Sequence, residues 1–243
     1  IECSAISAKD LGQPFDIHAG GVDLIFPHHE NEIAQAEAAT GQPFVKYWLH
    51  GEHLLAEGQK MAKSLNNFFT LHGLEAKKFN PLAFRYLLLT AHYRSKLNFT
   101  WESLRGAQNA LESIYSQIRD WNKPKIGCAE FEEKFFQAIN NDLDTPRALA
   151  IMWEMIKSSL FSAAKARSLL KFDKILGLDF EKYLGKKEKI PTTVQQLLDE
   201  RFQARLKKNW GKSDELRKKI ENLGYSVEDT PTEQKIFKAG GGI

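Results

Sequence analysis

Phe15-Asp16-Ile17-His18, which enters a turn at Gly20-Gly21, and Tyr47-Trp48-Leu49-His50 set the architecture of the first part of this chain. Each is a short, largely apolar run with Gly or Pro nearby, which predicts a strand. A helix that could begin at Pro27 and run through Ala39 lies between them. This order predicts an α/β layer. Ligands of such sheets collect beyond the carboxyl ends of the strands, so we expect residues 18–23 and 60–64 to lie there.

Three side chains of this region have the chemistry of zinc ligands: Cys3, His28 and Glu32. A thiolate, an imidazole and a carboxylate suit Zn²⁺ better than Ca²⁺ or Mg²⁺, which prefer oxygen ligands. On one helix, the i, i+4 spacing of His28 and Glu32 places both on the same face. We expect Cys3 to approach from the end of a neighbouring strand, leaving a fourth position for another ligand or for substrate. A single Cys is more often a small core residue, but the ordered run of Cys3, residues 18–23 and residues 28–32 favours a metal site.

A second motif, Lys60-Met61-Ala62-Lys63-Ser64, follows the predicted sheet. Lys60 and Lys63 in a loop can place one ammonium on a polyphosphate while the other supports the loop. Such a cation stabilises the charge that develops on departing pyrophosphate. An ordinary solvated turn explains the same residues if this motif is considered alone.

Composition indicates a globular protein of two or three domains. The chain has 243 residues, of which 42% are hydrophobic and 27% charged, with a formal net charge of +3. It contains no run of eighteen apolar residues and no signal-peptide pattern at its start, so we expect a cytoplasmic protein with no membrane contact. Cys3 and Cys128 are its only cysteines, which fits a reducing compartment. The mild positive charge permits nucleic-acid binding without requiring it.

From Asn80 onward the pattern becomes helical. Asn80, Thr100 and Asp144 are predicted caps of three helices, and apolar residues recur at three- and four-residue spacings between them, as in a helical bundle. We expect a linker at about residues 185–191, where Lys and Gly cluster without periodicity. Beyond it we predict two charged helices, Val194 to Lys208 and Ser213 to Leu223.

Six stretches together resemble the cysteinyl-tRNA synthetases. They are Ile1–Ala5, His18–Gln35, Lys60–Ser64, His92–Ser95, Asp144–Leu149 and Tyr225–Pro231. The resemblance implies α/β followed by all-α architecture, comprising the second half of a Rossmann-like catalytic domain (1–75), a stem-contact-type connecting region (76–105), a helical bundle (106–186) and a small anticodon-binding region (192–243).

The resemblance also implies an activity. Enzymes of this family use ATP, with Mg, to convert L-cysteine to cysteinyl-adenylate, and then transfer it to the 3′ end of cysteine tRNA. Zinc recognises the substrate thiolate, and Cys3, His28 and Glu32 match its ligands. Another cysteine ligand is expected outside this chain, since Cys128 lies too far along the sequence. The class I His-x-Gly-His loop has no match here, so we expect a C-terminal half that is inactive by itself. We also expect a monomer.

Other roles implied by the resemblance concern ATP and the amino acid. Lys63 matches the ATP-contacting lysine, with Lys60 and Ser64 beside it as catalytic residues. His18 and Asp23 match positions that line the cysteine and adenosine pocket. Ala62 replaces the usual serine and Asn66 a common glycine, so we expect altered loop dynamics rather than lost function.

The charged tail is where we expect tRNA contacts, although a solvated helix explains most of these charges equally well. The candidates for the tRNA backbone are Arg201, Arg205, Lys207, Lys208 and Lys212, and those for base stacking are Trp210 and Tyr225. Two alternatives stay open: a noncatalytic tRNA-binding fragment, and a paralogue that joins cysteine to a small amine. A zinc hydrolase is a third, but it would leave the Lys60–Ser64 loop without a role.

Overall fold

The computed structural model describes residues 1–61, 69–186, 191–229 and 234–238. Its first part is a strand–helix–strand unit. Strand β1 (Phe15–Gly21) is followed by two irregular helical turns at Val22–Leu24 and Ile25–His29, helix α2 (Glu30–Thr40) and strand β2 (Val45–Gly51). The two strands are parallel, as the predicted α/β layer requires. A small core of Phe15, Ala36 and Phe44 joins them to α2.

The beginning of the chain corrects one expectation. Cys3 does not lie at the end of a strand but in helix α1 (Glu2–Leu11). This helix packs along α2, and the Ser4 hydroxyl is buried there, donating a hydrogen bond of 3.0 Å to Oε1 of Gln35. Because a helix-on-helix contact supplies its position, Cys3 approaches the layer from its helical side.

A three-stranded sheet connects this unit to the helices. Strand β3 (Leu54–Ala56) forms a hairpin with β4 (Gln59–Lys60) and pairs in parallel with β5 (Leu97–Phe99). Between β4 and β5, the described residues form two helices: α3 (Leu71–Ala76) and α4 (Pro81–Leu89).

Four further helices form the bundle: α5 (Trp101–Arg119), α6 (Ala129–Asn140), α7 (Thr145–Lys157) and α8 (Ser162–Leu176). The three predicted starts are confirmed. The side chains of Asn80, Thr100 and Asp144 each accept a hydrogen bond from a first-turn backbone N–H, which satisfies donors that a helix start otherwise leaves unpaired.

One large apolar core fills the bundle and reaches α4 and β5. Its fully buried side chains include Phe99, Leu104, Leu111, Ile114, Phe135, Met152 and Phe172. Each buried side chain of this size contributes roughly 1.5–3 kcal/mol through removal of apolar surface from water. The α/β unit therefore continues into an all-α body, as predicted.

The last described part is a helical hairpin with a β-hairpin. Helices α9 (Thr192–Leu206) and α10 (Trp210–Asn222) are followed by the antiparallel strands β6 (Tyr225–Asp229) and β7 (Gln234–Lys238). The two charged helices were predicted within a few residues, whereas the β-hairpin was not. Among the described residues, no helix combines the length and the hydropathy that crossing a bilayer requires.

Candidate metal centre

The three predicted ligands meet where α1, the turn Ile25–His29 and α2 come together. Cys3 lies in the first turn of α1, His28 in the turn, and Glu32 in the first turn of α2. One ligand atom from each of the three lies within 4.8 Å of the others. The i, i+4 pair is close as expected, with His28 Nε2 at 3.4 Å from Glu32 Oε1. Their role as ligands stays a prediction that this proximity supports.

The Glu32 carboxylate shows that the site fits a cation. Its side chain is 3% exposed, and neither carboxylate oxygen accepts a hydrogen bond from the described residues. Nε2 of His18 lies 3.0 Å from Oε2, and Nε2 of His28 lies near Oε1, but neither is oriented to donate a hydrogen bond. A buried carboxylate without donors is costly unless a cation compensates it. The residues therefore fit zinc, for which sulfur, nitrogen and oxygen are the usual protein ligands.

A second group of possible ligands shares Glu32. It comprises His18, His29 and Glu32, again with ligand atoms within 4.8 Å of one another. His29 is buried, its Nδ1 lies 2.8 Å from Nε2 of His50, and its ring contacts Trp48 at a centroid distance of 4.8 Å. Burial lowers the pKa of His29, and the neighbouring His18 lowers it further. A lowered pKa favours the neutral imidazole.

His29, Trp48 and His50 were not predicted as site residues. The sequence did hold a signal for His50, because it ends the second predicted strand, at the edge where His18 was expected. The parallel register confirms this neighbourhood, since His18 pairs with Trp48 and Gly20 with His50. No sequence signal pointed to His29, because only His28 of the two adjacent histidines has the i, i+4 spacing to Glu32.

Gly20 makes room for the buried histidine. A Cβ at this position would lie 2.6 Å from Cε1 and 3.0 Å from Nε2 of His29. Distances this short force the ring or the strand to move. Gly20 therefore allows a close approach between β1 and His29.

The other predicted site residues are His18, Asp23, Lys60, Lys63 and Ser64. His18 faces Glu32, as above, whereas Asp23 is exposed, with Oδ1 3.9 Å from Nε2 of His53. Lys60 lies in β4, where it pairs with Leu55. Lys63 and Ser64, like Ala62 and Asn66, lie outside the described residues. The phosphate-binding role of this motif stays a prediction.

In the C-terminal unit, the expectation that Arg201 contacts tRNA is wrong. Arg201 is 1% exposed, and its two terminal nitrogens each donate a hydrogen bond of 2.9 Å to a different carboxylate oxygen of Asp229. This bidentate pair ties α9 to β6. Arg205 is partly exposed, and its guanidinium lies 5.4 Å from the ring centroid of Trp210, which is 54% exposed.

Comparison with known proteins defines first a class and then a family. A structure of a ternary complex of Agrobacterium radiobacter LeuRS with tRNA and LeuAMS shares the fold, with a TM-score of 0.51 and 16% identity over 69% of this chain and 26% of that one. Residues 1–109 match the family model of the class I (C) tRNA synthetase catalytic domain. The chain thus has a class I synthetase fold.

The particular family follows from the other matches. Residues 187–236 match the model of the cysteinyl-tRNA ligase anticodon binding domain. The chain is 44% identical to a cysteine–tRNA ligase of Burkholderia lata over 98% of its own length and 51% of the relative's. Corresponding ligases of Legionella pneumophila and Chlamydia muridarum are 43% and 42% identical. The chain belongs to the cysteinyl-tRNA synthetase family, as the motifs indicated, and spans about half the length of these relatives.

Proposed function

We propose that this chain is part of a cysteine–tRNA ligase. The proposed reaction activates L-cysteine with ATP and Mg to cysteinyl-adenylate and transfers it to the 3′ end of cysteine tRNA. The observation that carries the proposal is the convergence of Cys3, His28 and the donor-free carboxylate of Glu32. The family and the relatives support the same activity.

In this proposal Cys3, His28 and Glu32 hold zinc. When bound, zinc supplies a soft cation that favours a substrate thiolate over the hydroxyl of serine, which separates the two amino acids without editing. His18, on β1, lies beside Glu32, with Nε2 3.0 Å from Oε2. His29, His50 and Trp48 form an aromatic wall beside it, which limits access of water to the buried carboxylate.

The remaining substrates are assigned by the resemblance. Lys63 contacts ATP, Lys60 and Ser64 support it, and Asp23 lines the adenosine side. The lysine charge stabilises pyrophosphate as it departs. The tRNA is bound by the C-terminal unit, where Arg205 and exposed Trp210 offer a cation and a stacking surface. We propose a cytoplasmic monomer that acts together with the part of the enzyme not represented in this chain.

The metal site can be tested on the chain as it stands. Because another cysteine ligand is expected outside this chain, we expect it to bind one zinc weakly, in competition with a weak chromophoric chelator, and to bind at least ~10-fold more weakly still after Cys3→Ser. Cys128→Ala is the matched control, because Cys128 is buried and belongs to neither group of possible ligands. His72→Ala serves the same purpose for His28→Ala, since the His72 side chain is 98% exposed. Equal affinity in Cys3→Ser and Cys128→Ala would refute the ligand assignment.

The reaction is tested by joining the chain to the part of the Burkholderia lata ligase that lies outside the similarity. We expect cysteine-dependent ATP–pyrophosphate exchange that serine does not support and that Cys3→Ser and Lys63→Ala abolish. Exchange followed by charging of cysteine tRNA distinguishes the ligase from a small-amine paralogue. Binding of cysteine tRNA without any exchange would instead identify a noncatalytic tRNA-binding protein.

A further inference from the structure

The segment His92-Tyr93-Arg94, between α4 and β5, converges on one carboxylate in the turn between α6 and α7. The Tyr93 hydroxyl donates a 2.6 Å hydrogen bond to Oδ1 of Asp142. Arg94 donates from Nε to Oδ2 at 2.6 Å and from Nη2 to Oδ1 at 3.1 Å. His92 Nε2 lies 2.8 Å from the backbone carbonyl oxygen of Asp142. The side chains of three consecutive residues thus contact a single residue of the bundle, Asp142.

The turn that contains Asp142 has an unusual backbone conformation. Asp142 and Leu143 have φ angles of +54° and +56°, in the left-handed region that residues other than Gly adopt rarely. Such a conformation persists where surrounding contacts hold it. The Arg94 and Tyr93 side chains lower the pKa of Asp142 to about 2, so its carboxylate is ionised at neutral pH. The contacts to the 92–94 segment therefore fix the start of α7.

The same segment reaches the strand that borders the candidate metal centre. The backbone carbonyl oxygen of Tyr93 accepts a 2.7 Å hydrogen bond from the N–H of Glu52, directly after β2. Two residues earlier, β2 carries His50, whose Nε2 lies 2.8 Å from Nδ1 of His29. A continuous series of contacts therefore runs from the bundle turn through Tyr93 and the end of β2 to the histidines beside Glu32.

We propose that Asp142 is a positioning residue, which through the 92–94 segment holds the end of β2 and His50 in place beside the metal centre. The effect on the metal centre rests on the proposed function, whereas the mechanical connection does not. The side-chain hydrogen bonds of Asp142 go to Tyr93 and Arg94, and the bond to the end of β2 is made by the Tyr93 carbonyl, so the proposed influence passes through Tyr93. The bundle turn and the end of β2 are thereby coupled through the polar contacts of the 92–94 segment.

The connection is tested by amide hydrogen exchange of the complete chain. Asp142→Asn removes the charge while keeping a residue type that tolerates the left-handed conformation. We expect exchange of the Glu52 amide to become about tenfold faster, with amides of α8 unchanged. Glu130→Gln is the matched control. It removes another exposed acidic partner, that of Lys134, from α6, and should leave Glu52 unaffected.

Two outcomes separate this proposal from a local role. Faster exchange confined to residues 141–144, with Glu52 unchanged, would overturn it. If Asp142→Asn loosens the whole bundle, Tyr93→Phe is the variant that tests the proposal, because it removes one hydroxyl and leaves the contact between Arg94 and Asp142. Faster exchange at Glu52 in that variant supports the proposal, and unchanged exchange overturns it.

Zinc affinity is the second measurement. We expect it to weaken severalfold in Asp142→Asn and to stay unchanged in Glu130→Gln. The exchange experiment needs neither metal nor tRNA, so the two proposals fail separately. An unaltered chain that binds no zinc contradicts the proposed function alone. Normal zinc binding with no response of Glu52 contradicts the positioning role alone.

Discussion

Replacing Glu32 by Gln should make the metal-free chain more stable while reducing its stabilisation by zinc. The carboxylate is 3% exposed and accepts no hydrogen bond from the described residues, so folding removes it from water without a donor, and only the imidazoles of His18 and His28 lie near its oxygens, at 3.0 and 3.4 Å. An unsatisfied buried group costs about 1–3 kcal/mol, and a charged one costs more than a neutral amide of the same shape. We therefore expect the free energy of unfolding of the metal-free form to rise by about 1–2 kcal/mol.

Bound zinc should reduce this difference in stability between the two proteins. A ligand that binds only the folded form at about 1,000 times its Kd stabilises it by about 4 kcal/mol. Glu32→Gln loses the anionic ligand, so this increment should shrink by at least ~1.4 kcal/mol, which is a tenfold loss of affinity. Urea unfolding with chelator and with excess zinc measures both quantities on each protein.

Glu30→Gln is the control for this experiment, because Glu30 lies in the same first turn of α2 but is exposed. It should lose only about 0.3–1 kcal/mol, from the helix dipole, with zinc stabilisation unchanged. The reasoning is refuted if Glu32→Gln lowers the stability of the metal-free chain. That result would mean that the neighbouring histidines satisfy the carboxylate as an ion pair.

Three further predictions concern other parts of the chain. Gly20→Ala should weaken zinc binding and destabilise the fold by about 1–3 kcal/mol, because its Cβ would overlap the adjacent imidazole. Gly106→Ala, at a helical position with open space, should instead stabilise by about 0.5–1 kcal/mol; equal effects in urea unfolding would contradict the steric argument. Arg201→Ala should destabilise the C-terminal unit by about 1.5–3 kcal/mol, since it removes the buried bidentate donor of Asp229 and leaves only Arg205, 3.1 Å away, beside that carboxylate. Arg205→Ala should have little effect on stability and should weaken tRNA binding. A larger loss of stability in Arg205→Ala than in Arg201→Ala, measured by thermal unfolding, or a larger loss of tRNA binding in Arg201→Ala, measured by filter binding, would contradict these two roles. The pKa of Asp142 is lowered to about 2, so its contribution is present above its unfolded value near 3.8 and is lost as the pH falls through about 2. Asp142→Asn should remove the part of the stability loss that occurs between these pH values, and an unchanged acid profile would count against the Arg94 contact.

Local patterns made much of the fold predictable. The helix starts at Asn80, Thr100 and Asp144 follow from short-range capping, which is encoded within three residues. The parallel strands with α2 between them follow from the same local punctuation. The C-terminal β-hairpin escaped prediction because its two strands are short and depend on long-range contacts: Val227 packs on α9 and α10, and Asp229 pairs with Arg201.

In the candidate site, too, the contacts set by local spacing were predictable and those set by packing were not. His28 and Glu32 were predictable as neighbours because helical spacing fixes i, i+4 pairs. The approach of Cys3 was predicted, but from a strand end rather than from α1, because sequence patterns do not report how one element packs on another. The burial of Arg201 was missed for a related reason: charge patterning indicates a solvated face, and only the position of Asp229 turns that residue inward.

The amino-acid sequence by itself determined the family, the chemistry of the candidate ligands and the order of the elements, because motifs, residue types and capping are properties of neighbouring residues. Tertiary structure decided that Glu32 is buried without donors, that His29 and His50 meet beside it, and that Asp142 is held by the 92–94 segment. These contacts join residues far apart in the chain. Their distances depend on how strands and helices pack, which no local pattern encodes.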